Sequence, residues 1–367
     1  MTQLLLTPGP LTTAHATRQA MTRDWGSRDP AFIALTAELR ERLLAAAHGE
    51  ATHVSVPLQG SGTFIVEAAL GTVLKPADRL LVLVNGAYGE RMLKICERIG
   101  RSATAMRWDE DQPVDPAALQ EHLLGAPQIT HVAVVHCETT TGIRNPLEAV
   151  AAVCAEAGKA LIVDAMSSFG VLPLDLRTLT AQAVLASSNK GLEGAPGLGF
   201  ALIDRPALEA AKGNAPSLSL DLHEQWRGFE TNGQWRFTPP VQVVAALLDA
   251  LRAFAAEGGQ AGRGARYAEN LRVLVEGMAA LGYDRFLDPA VQAPVSATFR
   301  QPAGWGVSFD QFYDRLAQAG LLIYHGELTP ADTFRIGCIG QVHPDDMRRL
   351  VETVGVITPA RAARSAA

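Results

Sequence analysis

The sequence predicts an α/β protein, with a mainly parallel sheet carrying helices on both faces and a smaller C-terminal α+β domain. Three observations carry this expectation. Short apolar runs alternate with helical stretches between residues 54 and 186, which implies parallel strands joined by helical crossovers. Two of the runs, Leu161-Ile162-Val163 and Ala183-Val184-Leu185-Ala186, have the length and content of strands buried on both faces. Polar clusters recur at the C-terminal ends of the runs, at 60–63, 86–89, 138–142, 164–168 and 187–190. Ligands bind at that edge of an open α/β sheet, and five clusters along it point to a sizeable one.

Taken in order, Thr7-Pro8-Gly9-Pro10 reads as a rigid turn at the end of an N-terminal arm. A helix is expected around Arg18–Met21, and a longer one over 31–47 with Phe32, Leu35, Leu39 and Leu43 on one face. Val54–Leu58 is a strand that runs into Gln59-Gly60-Ser61-Gly62-Thr63, with a helix from about Phe64. Leu80–Val84 is the next strand, ending in Asn85-Gly86-Ala87-Tyr88-Gly89, where the glycines suggest close approach of the backbone to something. A helix over Arg91–Ile99, a strand over Ser102–Trp108 and a helix over Pro116–Leu124 follow. Val132–Val135 is a strand with His136-Cys137-Glu138-Thr139-Thr140-Thr141-Gly142 at its end, and Leu147–Glu156 is helical. Gly197–Ile203 reads as an antiparallel or edge strand, and the segment from Pro216 to Trp235 as polar and irregular.

A long helix over Val241–Glu257 meets Gly258-Gly259, a natural boundary. Beyond it the sequence predicts a helix over Arg266–Leu281, an arm near Val295–Phe299, a helix over Phe309–Ala319 and strands at Leu321–Tyr324 and Thr333–Cys338. The expected organisation is therefore an arm over 1–15, a large ligand-binding domain over 16–258, a small domain over 259–357 and a disordered tail over 358–367.

The 367 residues suffice for two domains with substantial cores. Apolar residues make up 48% and charged ones 19%, the composition of a soluble globular protein. A net charge of −6, from 32 basic and 38 acidic residues, argues against nucleic-acid or membrane-surface binding. No apolar run is long enough to span a bilayer, and the N-terminus lacks the basic and apolar regions of a signal peptide. The four cysteines are scattered, which suits reduced thiols in a cytoplasmic protein. The nine histidines form no metal-ligand spacing, so no metal is expected.

Asp164 and Lys190 each stand just beyond a buried run. On neighbouring parallel strands they would share one crevice. A buried amine loses its proton readily and attacks carbonyls, and an acid facing a protonated pyridine nitrogen completes the pattern of a pyridoxal phosphate (PLP) site. An Asp after a strand also serves as a helix cap, and a Lys there as a solvated loop residue; these two positions alone do not separate the readings. The glycine-rich turn at 60–63 is either an anion site built on a helix N-terminus, with Ser61 and Thr63 hydroxyls adding bonds, or a tight strand–helix connection. Tyr88 either lies flat against a planar ring or packs in the core at a helix start. Arg335 sits mid-strand among apolar residues and needs an anionic partner, whether a bound carboxylate or a structural ion pair.

Read together, Gly60-Ser61-Gly62-Thr63, Tyr88, Thr139, Asp164, Lys190, Thr238 and Arg335 resemble the fold-type I PLP-dependent enzymes, in the alanine–glyoxylate/serine–pyruvate branch of the aminotransferases. The resemblance spans nearly the whole chain, from Thr7-Pro8-Gly9-Pro10 to Arg335-Ile336-Gly337. Longer strings at 4–13, 59–63, 163–170, 217–222 and 235–240 are similar to the 2-aminoethylphosphonate–pyruvate transaminases within that branch.

The resemblance implies that Lys190 carries the cofactor and later acts as general base, while Asp164 keeps the pyridine nitrogen protonated. It implies that Tyr88 stacks on the ring, that Thr139 bonds near the ring's 3-oxygen, and that Met166 and Asn189 belong to the cofactor pocket. Ser61, Gly62 and Thr63 would bind the phosphate, joined by Thr238 from the partner subunit of a homodimer. Arg335 would bind the carboxylate of pyruvate or alanine and also the phosphonate, with Arg227, Arg236 and Ser27 as further candidates. The implied reaction is ping-pong, from 2-aminoethylphosphonate and pyruvate to phosphonoacetaldehyde and L-alanine. One departure falls at His325-Gly326-Glu327, where the family pattern leads one to expect Pro-Gly-Lys. An alanine–glyoxylate or serine–pyruvate transaminase would use the same cofactor residues, but the strings at 217–222 and 235–240 argue against it. A desulfurase would need a cysteine on a mobile loop beside the site. A non-catalytic PLP-binding protein or an NAD-binding module is disfavoured by Lys190 with Asp164 and by the absence of a GxGxxG motif.

Overall fold

The computed structural model describes residues 3–302, 305–325 and 332–358. The chain opens with a two-residue strand, β1 (Leu4–Leu5), a short helix, α1 (His15–Ala20), and a longer one, α2 (Pro30–Ala45), whose first residue is a proline suited to a helix start. The alternation follows with β2 (His53–Gln59), α3 (Gly62–Val73), β3 (Arg79–Val84), α4 (Ala87–Arg98), β4 (Ser102–Arg107), α5 (Pro116–Gly125) and β5 (His131–Val135). A small hairpin of β6 (Cys137–Glu138) and β7 (Ile143–Arg144) leads to α6 (Leu147–Glu156), β8 (Ala160–Asp164), β9 (Ala183–Ser187) and β10 (Leu198–Asp204).

These strands form a seven-stranded sheet in the order β2-β10-β9-β8-β5-β3-β4. Strands β9, β8, β5, β3 and β4 are parallel, whereas β10 runs antiparallel to both β9 and β2. Strand β2 therefore points the same way as the parallel set, and its C-terminal end opens on the same edge. The antiparallel expectation for 197–203 holds, but β10 is interior and β2 is the edge. The runs are apolar throughout because both faces are covered: Leu81 and Leu83 of β3 enter one core layer, while Leu80, Val82 and Val84 enter the other.

Helices α7 (Arg205–Glu209), α8 (Leu222–Asn232), α9 (Val241–Ala256) and α10 (Gly259–Ala280) continue the chain. The last part comprises β11 (Ser296–Arg300), α11 (Phe309–Gln318), β12 (Leu321–Leu322), β13 (Tyr324–His325), β14 (Thr333–Gly337) and α12 (Pro344–Ile357). Strands β11, β14 and β13 form an antiparallel sheet, and β1 pairs in parallel with β12. Leu6 is fully buried in the same cluster as Leu274, Phe312, Phe334 and Leu350, so the N-terminal arm packs into the C-terminal core.

Three expectations need correction, and one helix was not foreseen. The segment 216–235 is not irregular: it contains α8, whose Leu222, Trp226 and Phe229 are buried. Asp221 Oδ1 accepts from Glu224 N–H at 3.0 Å, and the helix stops at Gly233 with φ 73°. Helix α4 begins at Ala87 rather than Arg91, which places Tyr88 in its first turn. Helix α10 starts directly at Gly259, and α12 was not expected at all although Met347, Leu350 and Val354 bury one face of it. Gly326, Glu327 and the tail from 359 lie outside the described residues.

Candidate active site

A cleft of about 180 Å³ opens at the shared C-terminal edge of β2, β3, β8 and β9. One wall is the start of α3, where Ser61, Gly62 and Thr63 line it. The first amide groups of a helix have no internal acceptors, and the helix dipole places positive potential beside them. Ser61 does not cap the helix with its own side chain, so its hydroxyl can serve a ligand. Arg91 reaches the same corner. Its Nη1 donates to Thr63 Oγ1 at 3.3 Å, and its guanidinium lies 4.4 Å from the centre of the Tyr88 ring.

Asp164 closes the floor at the end of β8 and is only 3% exposed. Its Oδ1 accepts from Met166 N–H at 2.9 Å, and among the described residues no hydrogen bond to Oδ2 is found. Burial pushes the carboxyl up to about 6, while the Met166 bond, Lys190 and Arg91 pull it down. A protonated ring nitrogen beside this carboxylate would add a hydrogen-bonded cation to the pull of Lys190 and Arg91. Lys190 stands half-buried beyond β9, and its Nζ donates to the Pro8 carbonyl at 2.6 Å. That contact explains Gly9: a Cβ there, at φ 136°, would lie 2.9 Å from Nζ.

Behind the cleft, Glu138 in β6 is fully buried, and burial pushes its carboxyl up to about 7. It accepts from Tyr88 N–H at 3.3 Å and from Thr140 Oγ1 at 2.7 Å. It thus bonds the first turn of α4. Gly86 leaves room for it: a Cβ there would sit 2.3 Å from Glu138 Cγ.

The structure brings Ser61, Gly62, Thr63, Tyr88, Asp164, Met166, Asn189 and Lys190 around this one cleft. Thr139 and Arg335 stand one layer back. Thr139 Oγ1 pairs with Ser167 Oγ at 2.6 Å, and the Thr139 carbonyl accepts from Arg335 Nη1 at 3.0 Å. Thr238 is exposed and does not line the cleft. Neither do Ser27, Arg227 or Arg236; Arg236 Nη1 instead donates to the Leu218 carbonyl at 2.7 Å. Sequence reasoning missed Gly9, Arg91 and Ser167. Arg91 carried a readable signal, since a residue three positions after Tyr88 shares its face of a helix.

These features fit PLP. A helix start beside a guanidinium suits a phosphate dianion, a buried carboxylate with an open oxygen suits a pyridinium N–H, and a half-buried amine suits an aldehyde. The comparisons point the same way. The pattern of the class-V aminotransferases matches residues 20–326. The chain is 54% identical to 2-aminoethylphosphonate–pyruvate transaminase 1 of Burkholderia lata, over 96% of this chain and 95% of that protein. It is 51% identical to 2-aminoethylphosphonate–pyruvate transaminase of Cupriavidus necator, over 96% and 94% of the two chains. Among solved structures, alanine–glyoxylate aminotransferase from Nostoc sp. superposes with a TM-score of 0.90 at 26% identity, over 97% of this chain and 95% of that one. Pyridoxamine–pyruvate aminotransferase from Mesorhizobium loti gives 0.89 at 25% identity, over 97% and 92%. With its family matched over most of its length and near-end-to-end relatives, this chain belongs to the class-V aminotransferases, and its cofactor is pyridoxal 5′-phosphate.

Proposed function

We propose that this enzyme transfers the amine of 2-aminoethylphosphonate to pyruvate, giving phosphonoacetaldehyde and L-alanine. The observation that carries the chemistry is the meeting of Asp164 and Lys190 across one cleft, with a helix N-terminus and Arg91 at its other end. The substrate pair rests on the names of relatives at 51–54% identity. The cofactor supplies an electron sink for the carbanion that forms when the substrate loses a proton.

In this reading Lys190 Nζ would hold the cofactor's aldehyde and would also be the group that carries the substrate's proton. Asp164 would pair through its carboxylate with the ring nitrogen and keep that nitrogen protonated. The amides of Gly62 and Thr63 with the Ser61 hydroxyl would hold the phosphate, Tyr88 and Met166 would hold the ring, and Asn189, backed by Thr139 one layer behind, would contact its substituents. Arg335 takes the carboxylate or phosphonate. Thr238, exposed here, completes the phosphate site of the partner subunit in a homodimer. The division at Gly258-Gly259 and a cytoplasmic location belong to the same reading; among the described residues no helix is long and apolar enough to cross a membrane. A desulfurase is disfavoured, because all four cysteines are buried and burial pushes the Cys137 thiol up to about 12.

The test is a half-reaction followed by visible absorbance. The PLP-loaded enzyme is mixed with 2-aminoethylphosphonate alone, and separately with alanine, serine and glycine. The expected result is discharge of the visible band by 2-aminoethylphosphonate and its recovery with pyruvate. Discharge by alanine or serine but not by the phosphonate would move the function to an alanine–glyoxylate or serine–pyruvate transaminase.

A further inference from the structure

Glu193 is one of two described non-glycine residues in the left-handed region, at φ 60°, a conformation that side chains disfavour. Gly191 and Gly194 stand close by, yet the position needing that backbone carries a carboxylate that is 3% exposed. The carboxylate is heavily used. Oε1 accepts from Arg266 Nη2 at 2.7 Å and from the Tyr267 hydroxyl, and it lies 3.5 Å from Arg263 Nη1. Oε2 accepts from Gln341 Nε2 at 2.6 Å. Burial pushes the Tyr267 phenol well above its ordinary range, so it remains a donor. Glu257 accepts from Arg263 Nε at 2.6 Å and from Arg266 Nε at 2.7 Å, which balances the buried Arg263 and the part-buried Arg266 with two anions.

This cluster grips two functional segments at once. On one side, Glu193 N–H donates to the Lys190 carbonyl at 2.8 Å, and Arg263 Nη1 donates to the Gly191 carbonyl. On the other side is the turn that follows β14, the strand of Arg335. Gly340 N–H donates to Tyr267 Oη at 2.9 Å, and Arg266 Nη1 donates to the Gly340 carbonyl at 2.7 Å and the Val342 carbonyl at 3.0 Å. A buried ionic cluster is weak evidence of stability in itself, since apolar packing often does as well. What apolar packing lacks is direction; here Gln341 joins the two segments directly through Glu193, and Arg263, Arg266 and Tyr267 of α10 hold each of them to one helix.

We propose that Glu193 is a positioning residue that sets the spacing between Lys190 and Arg335, so that a substrate held by the arginine meets the amine in register. The proposal rests on the roles given to those two residues above. Its test uses the PLP-loaded enzyme, with kinetics expressed per loaded site. Glu193→Gln raises the pyruvate KM about tenfold, as expected when a carboxylate anchor shifts relative to the reacting amine. Gln341→Ala, which cuts the Oε2 tether alone, shifts KM in the same direction and serves if the first variant fails to fold. Arg335→Lys also raises KM, and its combination with Glu193→Gln falls short of the product of the two single effects, because both perturb one geometry. A merely structural role would lower the melting temperature and the loaded fraction but leave KM per site unchanged. Unchanged KM in the glutamate and glutamine variants, or effects that multiply, overturns the proposal while leaving the active-site reading intact. Unchanged KM in Arg335→Lys alone removes the role of Arg335, and the proposal with it.

Discussion

Replacing Asp164 with asparagine leaves an oxygen for the Met166 N–H and removes the charge at the floor of the cleft. In the cofactor-free protein that charge is unfavourable. Raising the acid from its ordinary 3.8 to about 6 costs the ionised form roughly 3 kcal/mol, at about 1.36 kcal/mol per pH unit. The folded chain keeps this proton where the unfolded chain has lost it, so stability present below about pH 4 is lost as pH rises through about 6. Asp164→Asn has no such loss. Urea unfolding of the two cofactor-free proteins should therefore give equal stabilities near pH 4 and a gap opening to about 3 kcal/mol in favour of the variant near pH 8. The Asp164 charge also raises Glu138, so its removal relieves Glu138 and widens the gap. PLP should reverse the order, because only the wild type holds the ring tightly enough to gain stability by mass action. A gap independent of pH would refute the assignment of Asp164 as an acid whose carboxyl is raised by burial.

Two further outcomes follow from the same geometry. Gly86→Ala should destabilise the protein by about 1–3 kcal/mol in thermal unfolding, because its Cβ would lie 2.3 Å from Glu138 Cγ and Glu138 is fully buried; φ is 172°, so backbone strain plays no part, and an unchanged melting temperature would count against the close approach. Arg91→Ala should weaken PLP binding about tenfold while leaving unphosphorylated pyridoxal unaffected, measured by fluorescence titration of the cofactor-free protein; equal losses for both ligands would place the guanidinium's effect on the ring and not on the phosphate.

Much of the site was legible because its residues are punctuation. Asp164 and Lys190 interrupt apolar runs whose composition already demands burial on both sheet faces, so a charge at each end stands out. The glycines at 60 and 62 likewise mark a strand–helix turn whatever the surroundings. Helix α8 was missed because its polar face dominates the segment, although Leu222, Trp226 and Phe229 keep a helical spacing. Glu138 and Glu193 were unreadable as to role. Each acts on backbone or side chains distant in sequence: Tyr88, 50 residues away, for the first, and Gln341, 148 residues away, for the second.

The sequence by itself determined the alternation of strands and helices, the edge at which polar residues collect and the residue types available for chemistry, because all of these follow from local periodicity and local polarity. Tertiary structure decided the rest. It put β10 in the interior of the sheet with β2 outside it, folded the N-terminal arm into the C-terminal core, set Arg91 beside the helix start that Ser61 opens, and locked the Lys190 loop to the turn beyond Arg335. The physical reason is that a hydrogen bond or an ion pair acts over a few ångströms of space and is indifferent to separation along the chain, so what the sequence spaces far apart only the packed core can bring into contact.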